Sequence, residues 1–138
     1  MTYSLRLVDG NLNPVGSALQ TVSGREKLLQ DLDCWFRENY RVDHHHPTCG
    51  SVLDSYIGGV VDEETAFLVK TEVIRVLTGY QQLQIKRFMD NPEIYQRGEL
   101  IEDIESVEAE VLYDSVYILA KLRTVDQALV NYQARIGV

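Results

Sequence analysis

The last third of the chain changes its hydrophobic period from about 3.6 residues to 2, and that change limits the available folds more than any other feature. Val107, Ala109, Val111 and Tyr113, then Val116, Ile118, Ala120 and Leu122, then Ala128, Val130, Tyr132, Ala134 and Ile136 fall on alternate positions, the pattern of strands that bury one face. Their short connections predict an antiparallel meander. A two-residue loop at Asp114-Ser115 sets Tyr113 opposite Val116, Val111 opposite Ile118 and Glu108 opposite Lys121. A three-residue loop at Thr124-Val125-Asp126 then sets Ala120 opposite Val130 and Ile118 opposite Tyr132.

Upstream the period is helical. Ser23-Gly24-Arg25-Glu26 has the form of a capping box, and Leu28, Leu29, Leu32, Trp35 and Phe36 after it gather into one stripe. From Asn39 to Gly50 the periodicity stops in a loop, after which Ser51 caps a short helix carrying Val52, Leu53 and Tyr56. Asp62, with Glu63 and Glu64 in the first turn, opens the longest helix, whose apolar positions run from Ala66 through Val69, Val73, Val76, Leu77 and Tyr80 to Leu83 and which ends at Asn91-Pro92. At the N-terminus Tyr3, Leu5 and Leu7 alternate, Asp9-Gly10-Asn11 supplies a turn, and Ala18 to Val22 returns. The fold class expected is α+β: two main helices and a short helix packed on a small antiparallel meander, with an N-terminal strand or arm. A chain of 138 residues buries enough surface for one domain spanning 1–138 without a staple.

A formal net charge of -8 opposes sequence-independent binding to nucleic acid or an anionic membrane, so neither is an expected partner. No apolar run reaches the roughly 18 residues of a membrane span, and the opening residues do not form a basic flank followed by an apolar block, so a soluble chain without a secretion signal is expected. Cys34 and Cys49 read as free thiols. With His44, His45 and His46 they supply metal-ligand chemistry in the wrong spacing, since no Cys-x-x-Cys or His-x-x-x-His pair exists, and no metal or other cofactor is expected. Carboxylates abound, among them Asp54, Asp62, Glu99, Glu102, Asp103 and Glu105, but abundance in an acidic chain marks solvated faces and caps before it marks an acid–base pair. Neither a nucleophile elbow nor a phosphate loop is present. The residues give no reason to expect an enzyme.

The order of elements resembles the gpW and gene-25-like family of phage tail baseplate proteins from about Leu5 to about Val130. The carriers are Leu5-Arg6-Leu7-Val8-Asp9-Gly10-Asn11-Leu12, Thr21-Val22-Ser23-Gly24-Arg25-Glu26, Leu29-Gln30-Asp31-Leu32 and His46-Pro47-Thr48-Cys49-Gly50-Ser51-Val52-Leu53, followed by a helix ending near Leu77 and the meander. Many members carry Glu-Pro-Arg where the long helix gives way to the sheet. This chain has Asn91-Pro92-Glu93 and then Gly98-Glu99-Leu100-Ile101, so the triplet's role does not transfer. The resemblance implies a structural subunit of a contractile-tail baseplate, a wedge component and sheath initiator, present in six copies. Its partners would be the tail sheath protein, other baseplate wedge proteins and tube-end proteins. Its location would be the virion tail baseplate, assembled in the host cytoplasm. The family has also been described as lysozyme-like, which gives peptidoglycan cleavage as one alternative. A cytoplasmic adaptor unrelated to tails is another.

An extended arm adding a strand to an open sheet edge is the physical means of such assembly. The strand from Val107 can be covered by Tyr3 to Val8, which leaves the last strand as the expected open edge, with Ala128, Val130, Asn131, Tyr132, Gln133, Ala134 and Ile136 as partner-binding residues. Leu112, Leu119 and Leu129 on the outer face, and Gln81, Gln82 and Arg87 near the end of the long helix, are further candidate contacts.

Overall fold

The computed structural model describes residues 4–8, 11–12, 14–15, 18–38, 40, 45, 50–57, 62–112 and 114–137. It is an α+β fold. The N-terminal segment forms a ribbon of short antiparallel pairs: β1 (Ser4–Leu5) with β6 (Thr21–Val22), and between them β2 (Leu7–Val8) with β3 (Asn11–Leu12) and β4 (Pro14–Val15) with β5 (Ala18–Leu19). Two helices follow, α1 (Gly24–Arg37) and α2 (Glu63–Asp90), then the meander β7 (Ile101–Leu112), β8 (Ser115–Thr124) and β9 (Leu129–Gly137) in the order β7-β8-β9.

The helix boundaries follow their caps. The Asp62 carboxylate accepts the Thr65 amide at 2.7 Å and starts α2 at Glu63. Ser23 stands at the N-cap of α1, but its side chain makes no cap bond. The expected capping box is not formed, because Arg6 of the ribbon draws the Glu26 carboxylate into an ion pair at 3.0 Å. The expected short helix is a single 3-10 turn, Leu53–Tyr56. Ser51 does not cap it, since its hydroxyl donates to the Phe36 carbonyl at 2.7 Å and ties the segment to the end of α1.

Both hairpin loops have the expected length, and both lie one residue from the expected place. The first closes between Leu112 and Ser115, which face each other, so Val111 faces Val116 and Glu108 lies opposite Leu119, not Lys121, while Tyr113 lies outside the described residues. The second is Val125-Asp126-Gln127, so Ala120 faces Tyr132 and Leu122 faces Val130. Each correction slides a partner by two residues, which leaves every side chain on its own face, so alternation alone cannot choose between the registers. Turn chemistry chooses. The Gln127 amide donates to the Thr124 carbonyl at 2.9 Å, Gln127 takes a positive φ of 67°, and Asp126 accepts from the Thr124 hydroxyl, the geometry of a type I turn closed by a left-handed residue.

Leu28, Leu32 and Phe36 of α1 and Val69, Val73, Val76 and Leu77 of α2 close on Val107, Val111, Val116, Ile118, Ala120 and Leu122 of the sheet. Trp35, expected in the same stripe, is only half-buried and meets Tyr80 edge-on at 5.2 Å. Helix α1 packs beside β9 and α2 beside β7. Among the described residues no helix is long and apolar enough to cross a membrane.

Candidate functional site: the free edge of the meander

In an antiparallel pair the backbone groups of successive residues point alternately to and from the neighbour. The Thr124 amide donates to the Ala128 carbonyl at 3.0 Å, which fixes the phase: Val130, Tyr132, Ala134 and Ile136 bond to β8, and the amides and carbonyls of Asn131, Gln133 and Arg135 point away from it. No strand among the described residues pairs with this side of β9. The expected cover of β7 by Tyr3 to Val8 is also absent among them, because β1 pairs with β6 and β2 with β3. Tyr3 lies outside the described residues.

The other backbone edges are occupied or interrupted. Gln30 clamps the ribbon, its amide nitrogen donating to the Leu5 carbonyl at 2.8 Å and its oxygen accepting the Leu7 amide at 2.9 Å. At the start of β7, buried Gln84 donates to the Glu99 carbonyl at 2.5 Å and accepts the Ile101 amide at 2.9 Å, while Gln81 donates to the Ile101 and Glu102 carbonyls. Two register shifts follow along β7, and Glu102, Glu105, Glu108 and Glu110 stand exposed on it. Bulges and charge on an edge discourage pairing. By contrast β9 runs in unbroken register from Leu129 to Gly137, and no side chain among the described residues bonds to the outward backbone of Asn131, Gln133 or Arg135.

An open groove of about 1200 Å³ lies at this edge, lined by Asn131, Tyr132 and Gln133 of β9, by Arg6, Leu7 and Val22 of the ribbon and by Leu29, Asp33 and Cys34 of α1. The edge strand is held from below. Tyr132 stacks on Phe36 with ring centroids 5.3 Å apart and donates to Asp33 at 3.1 Å, and Asp33 also accepts from Arg37 at 2.9 Å. Burial, followed by the adjacent Asp33 charge, pushes the Tyr132 phenol well above its ordinary value. The exposed Cys34 thiol is also raised, first by desolvation and then by Asp31, Asp33 and Glu38. A raised thiol carries little thiolate at neutral pH and is a poor nucleophile.

Among the outer-face candidates, Leu129 is 63% and Leu112 40% exposed, while Leu119 is half-buried. The latter lines a shallow hollow with Glu108, Glu110, Tyr117 and Arg135. Gln82 and Arg87 are exposed, whereas Gln81 is half-buried on the backbone leading into β7. Of the metal-type residues, His45 is exposed, and His44, His46 and Cys49 lie outside the described residues. The carboxylates singled out in the sequence serve the fold at several points: Asp62 caps α2, Glu99 closes a one-turn capping box with the Gln96 amide, Glu102 accepts from Gln127, and Glu105 pairs with Arg123 at 2.7 Å.

Sequence reasoning missed the glutamine clamps. Gln30 and Gln81 sit at helix positions where an amide reads as solvated, and only Gln84 gave a signal, falling four residues after Tyr80 on the side that the stripe assigns to the core. No family model matches the chain, and no match is found among curated proteins.

Proposed function

We propose that the chain is an assembly subunit that offers the outer edge of β9 to an extended segment of a partner. In the reading that the sequence resemblance favours, it is a wedge component and sheath initiator of a contractile-tail baseplate, and the segment is an arm of the tail sheath protein. The observation that carries the strand-addition reading is the contrast between edges: glutamine amides, bulges and carboxylates guard the ribbon and β7, while β9 keeps an unbroken row of outward groups beside a groove of about 1200 Å³. Main-chain pairing supplies affinity, and the α1 residues lining the groove, Leu29, Asp33 and Cys34, select among the side chains that point toward them.

Proline tests the edge directly, because it removes the amide that an added strand needs. Asn131→Pro and Gln133→Pro delete outward amides and are expected to leave a folded domain, whereas Tyr132→Pro deletes an amide bonded to β8 and is expected to unfold it. Each variant is co-expressed with tail tube, wedge and sheath proteins, and sheathed tails are counted by electron microscopy. Loss of sheathed tails with the two folded variants is the expected result. Normal tails from both would remove β9 as the initiating edge.

A further inference from the structure

Between the end of α2 and the start of β7 lies a pocket of about 610 Å³, and it shares no lining residue with the β9 groove. Sites for small molecules occupy roughly 300–1,000 Å³ and are mostly apolar with a few polar groups. The lining here has that character, grading from buried Leu100 and Ile101 to exposed Ile85, Phe88 and Val125. The rings of Phe88 and Tyr95 stand 6.4 Å apart beside them.

The polar lining narrows the class of ligand. The chain has 21 acidic against 13 basic residues, yet no carboxylate lines this pocket, and its one charged lining residue is Arg97. Arg6, Arg25, Arg37, Arg75, Arg123 and Arg135 each pair with a carboxylate. Exposed Arg97 has no such partner among the described residues, and the Tyr95 hydroxyl has no hydrogen-bond partner among them. The nearest acids in the chain are turned elsewhere, Glu99 accepting the Gln96 amide and Glu102 the Gln127 side chain. Two unspent donors are left to face an anion.

The backbone narrows it further. The Leu100 amide donates to the Arg97 carbonyl, the Leu100 carbonyl accepts the Val125 amide at 3.1 Å, the Ile101 amide is held by Gln84, and the Ile101 carbonyl accepts from Gln81. An extended peptide would find no main-chain partner at Leu100 or Ile101, so recognition is left to apolar burial and the two donors. We infer that this pocket binds a small amphiphilic monocarboxylate of the medium-chain fatty-acid class, its alkyl chain among Ile85, Phe88 and Leu100 and its carboxylate on the Arg97 guanidinium.

The test titrates the full chain with octanoate, octanol and octyltrimethylammonium, following the methyl groups of Ile85, Leu100, Ile101 and Val125 by NMR. Octanoate is expected to shift them saturably, octanol to bind more weakly and the cation weakest. Arg97→Gln, an exposed change that breaks no contact in the fold, is expected to weaken octanoate about tenfold, the worth of a charge-assisted bond, and to leave octanol unchanged. Phe88→Ala is expected to weaken both. Absence of saturable shifts overturns the inference, as does octanoate binding no tighter than the cation or indifferent to Arg97→Gln. A peptide with an apolar C-terminal residue that saturates the same methyls at lower concentration than octanoate would also overturn it, in favour of a protein partner.

Discussion

Gln84→Ala isolates the worth of one clamp. The Gln84 side chain is 7% exposed and satisfies two buried backbone groups at once, the Glu99 carbonyl at 2.5 Å and the Ile101 amide at 2.9 Å. Truncation leaves both without a partner, and a buried orphan costs about 1–3 kcal/mol, so the pair predicts a loss of roughly 2–5 kcal/mol. Gln84→Glu separates the two bonds. Its carboxylate still accepts the Ile101 amide but sets an oxygen against the Glu99 carbonyl, which favours the protonated acid in the folded state and raises its pKa. A raised carboxyl pKa lends stability that is complete below the unfolded-state value and lost as pH rises through the folded one, so this variant is expected to gain on the wild type between pH 7 and pH 5. Urea unfolding of the wild type, both variants and the exposed control Gln82→Ala at the two pH values measures each quantity. Hydrogen exchange at the Ile101 amide gives a local readout, with faster exchange expected in Gln84→Ala. A Gln84→Ala variant within about 0.5 kcal/mol of Gln82→Ala, the range of ordinary surface changes, would refute the clamp.

Phe36→Ala is expected to cost about 3–5 kcal/mol by urea unfolding, since it empties a fully buried site and unstacks Tyr132, and half-buried Trp35→Ala is expected to cost less. Alkylation of Cys34 by iodoacetamide in a Cys49→Ser background is expected to be slow at neutral pH and to accelerate up to a midpoint above that of a free cysteine peptide, because burial and three carboxylates favour the thiol. A midpoint below the peptide's would contradict that environment. Asp62 and Asp126 are held below their ordinary value of 3.8 chiefly by hydrogen bonds from Thr65 and Thr124. Their stabilisation is therefore present at neutral pH and lost as pH falls through the depressed values, and Asp62→Asn with Asp126→Asn is expected to shrink the acid-induced drop in Tm between pH 5 and pH 2.5.

The elements that the sequence made legible are those whose period is set by burial. Alternation located the three strands and assigned Val116, Ile118, Ala120 and Leu122 to the inside, and helical spacing located both helices, with Asp62 as a working cap. Burial does not fix what lies between the faces. Sliding a strand by two residues preserves inside and outside, so the choice of Leu112 opposite Ser115 over the expected Asp114-Ser115 loop passed to other terms, among them Ser115, which is buried and pairs with Gly137. The ribbon shows the same limit: one hairpin and a tighter stack of three pairs use the same alternation. The edge was legible as the last strand of a meander, but its distinction from β7 was not, because that rests on Gln81 and Gln84 reaching across space to a backbone 15 to 21 positions later.

Helix α1 packs beside β9 and α2 beside β7, on the guarded side of the meander, and no strand among the described residues pairs with the outer edge of β9. The β9 edge is braced by a few side chains, with Tyr132 stacked on Phe36 and bonded to Asp33, which in turn accepts from Arg37. Rigidity there matters because an added strand must find Asn131 and Gln133 at a fixed spacing, and ordering the edge during binding would subtract from the affinity that main-chain pairing supplies. Asp33→Ala removes that brace without touching an outward amide. It is expected to weaken strand capture while Asn131 and Gln133 remain in place, which separates the geometry of the edge from its hydrogen-bonding groups.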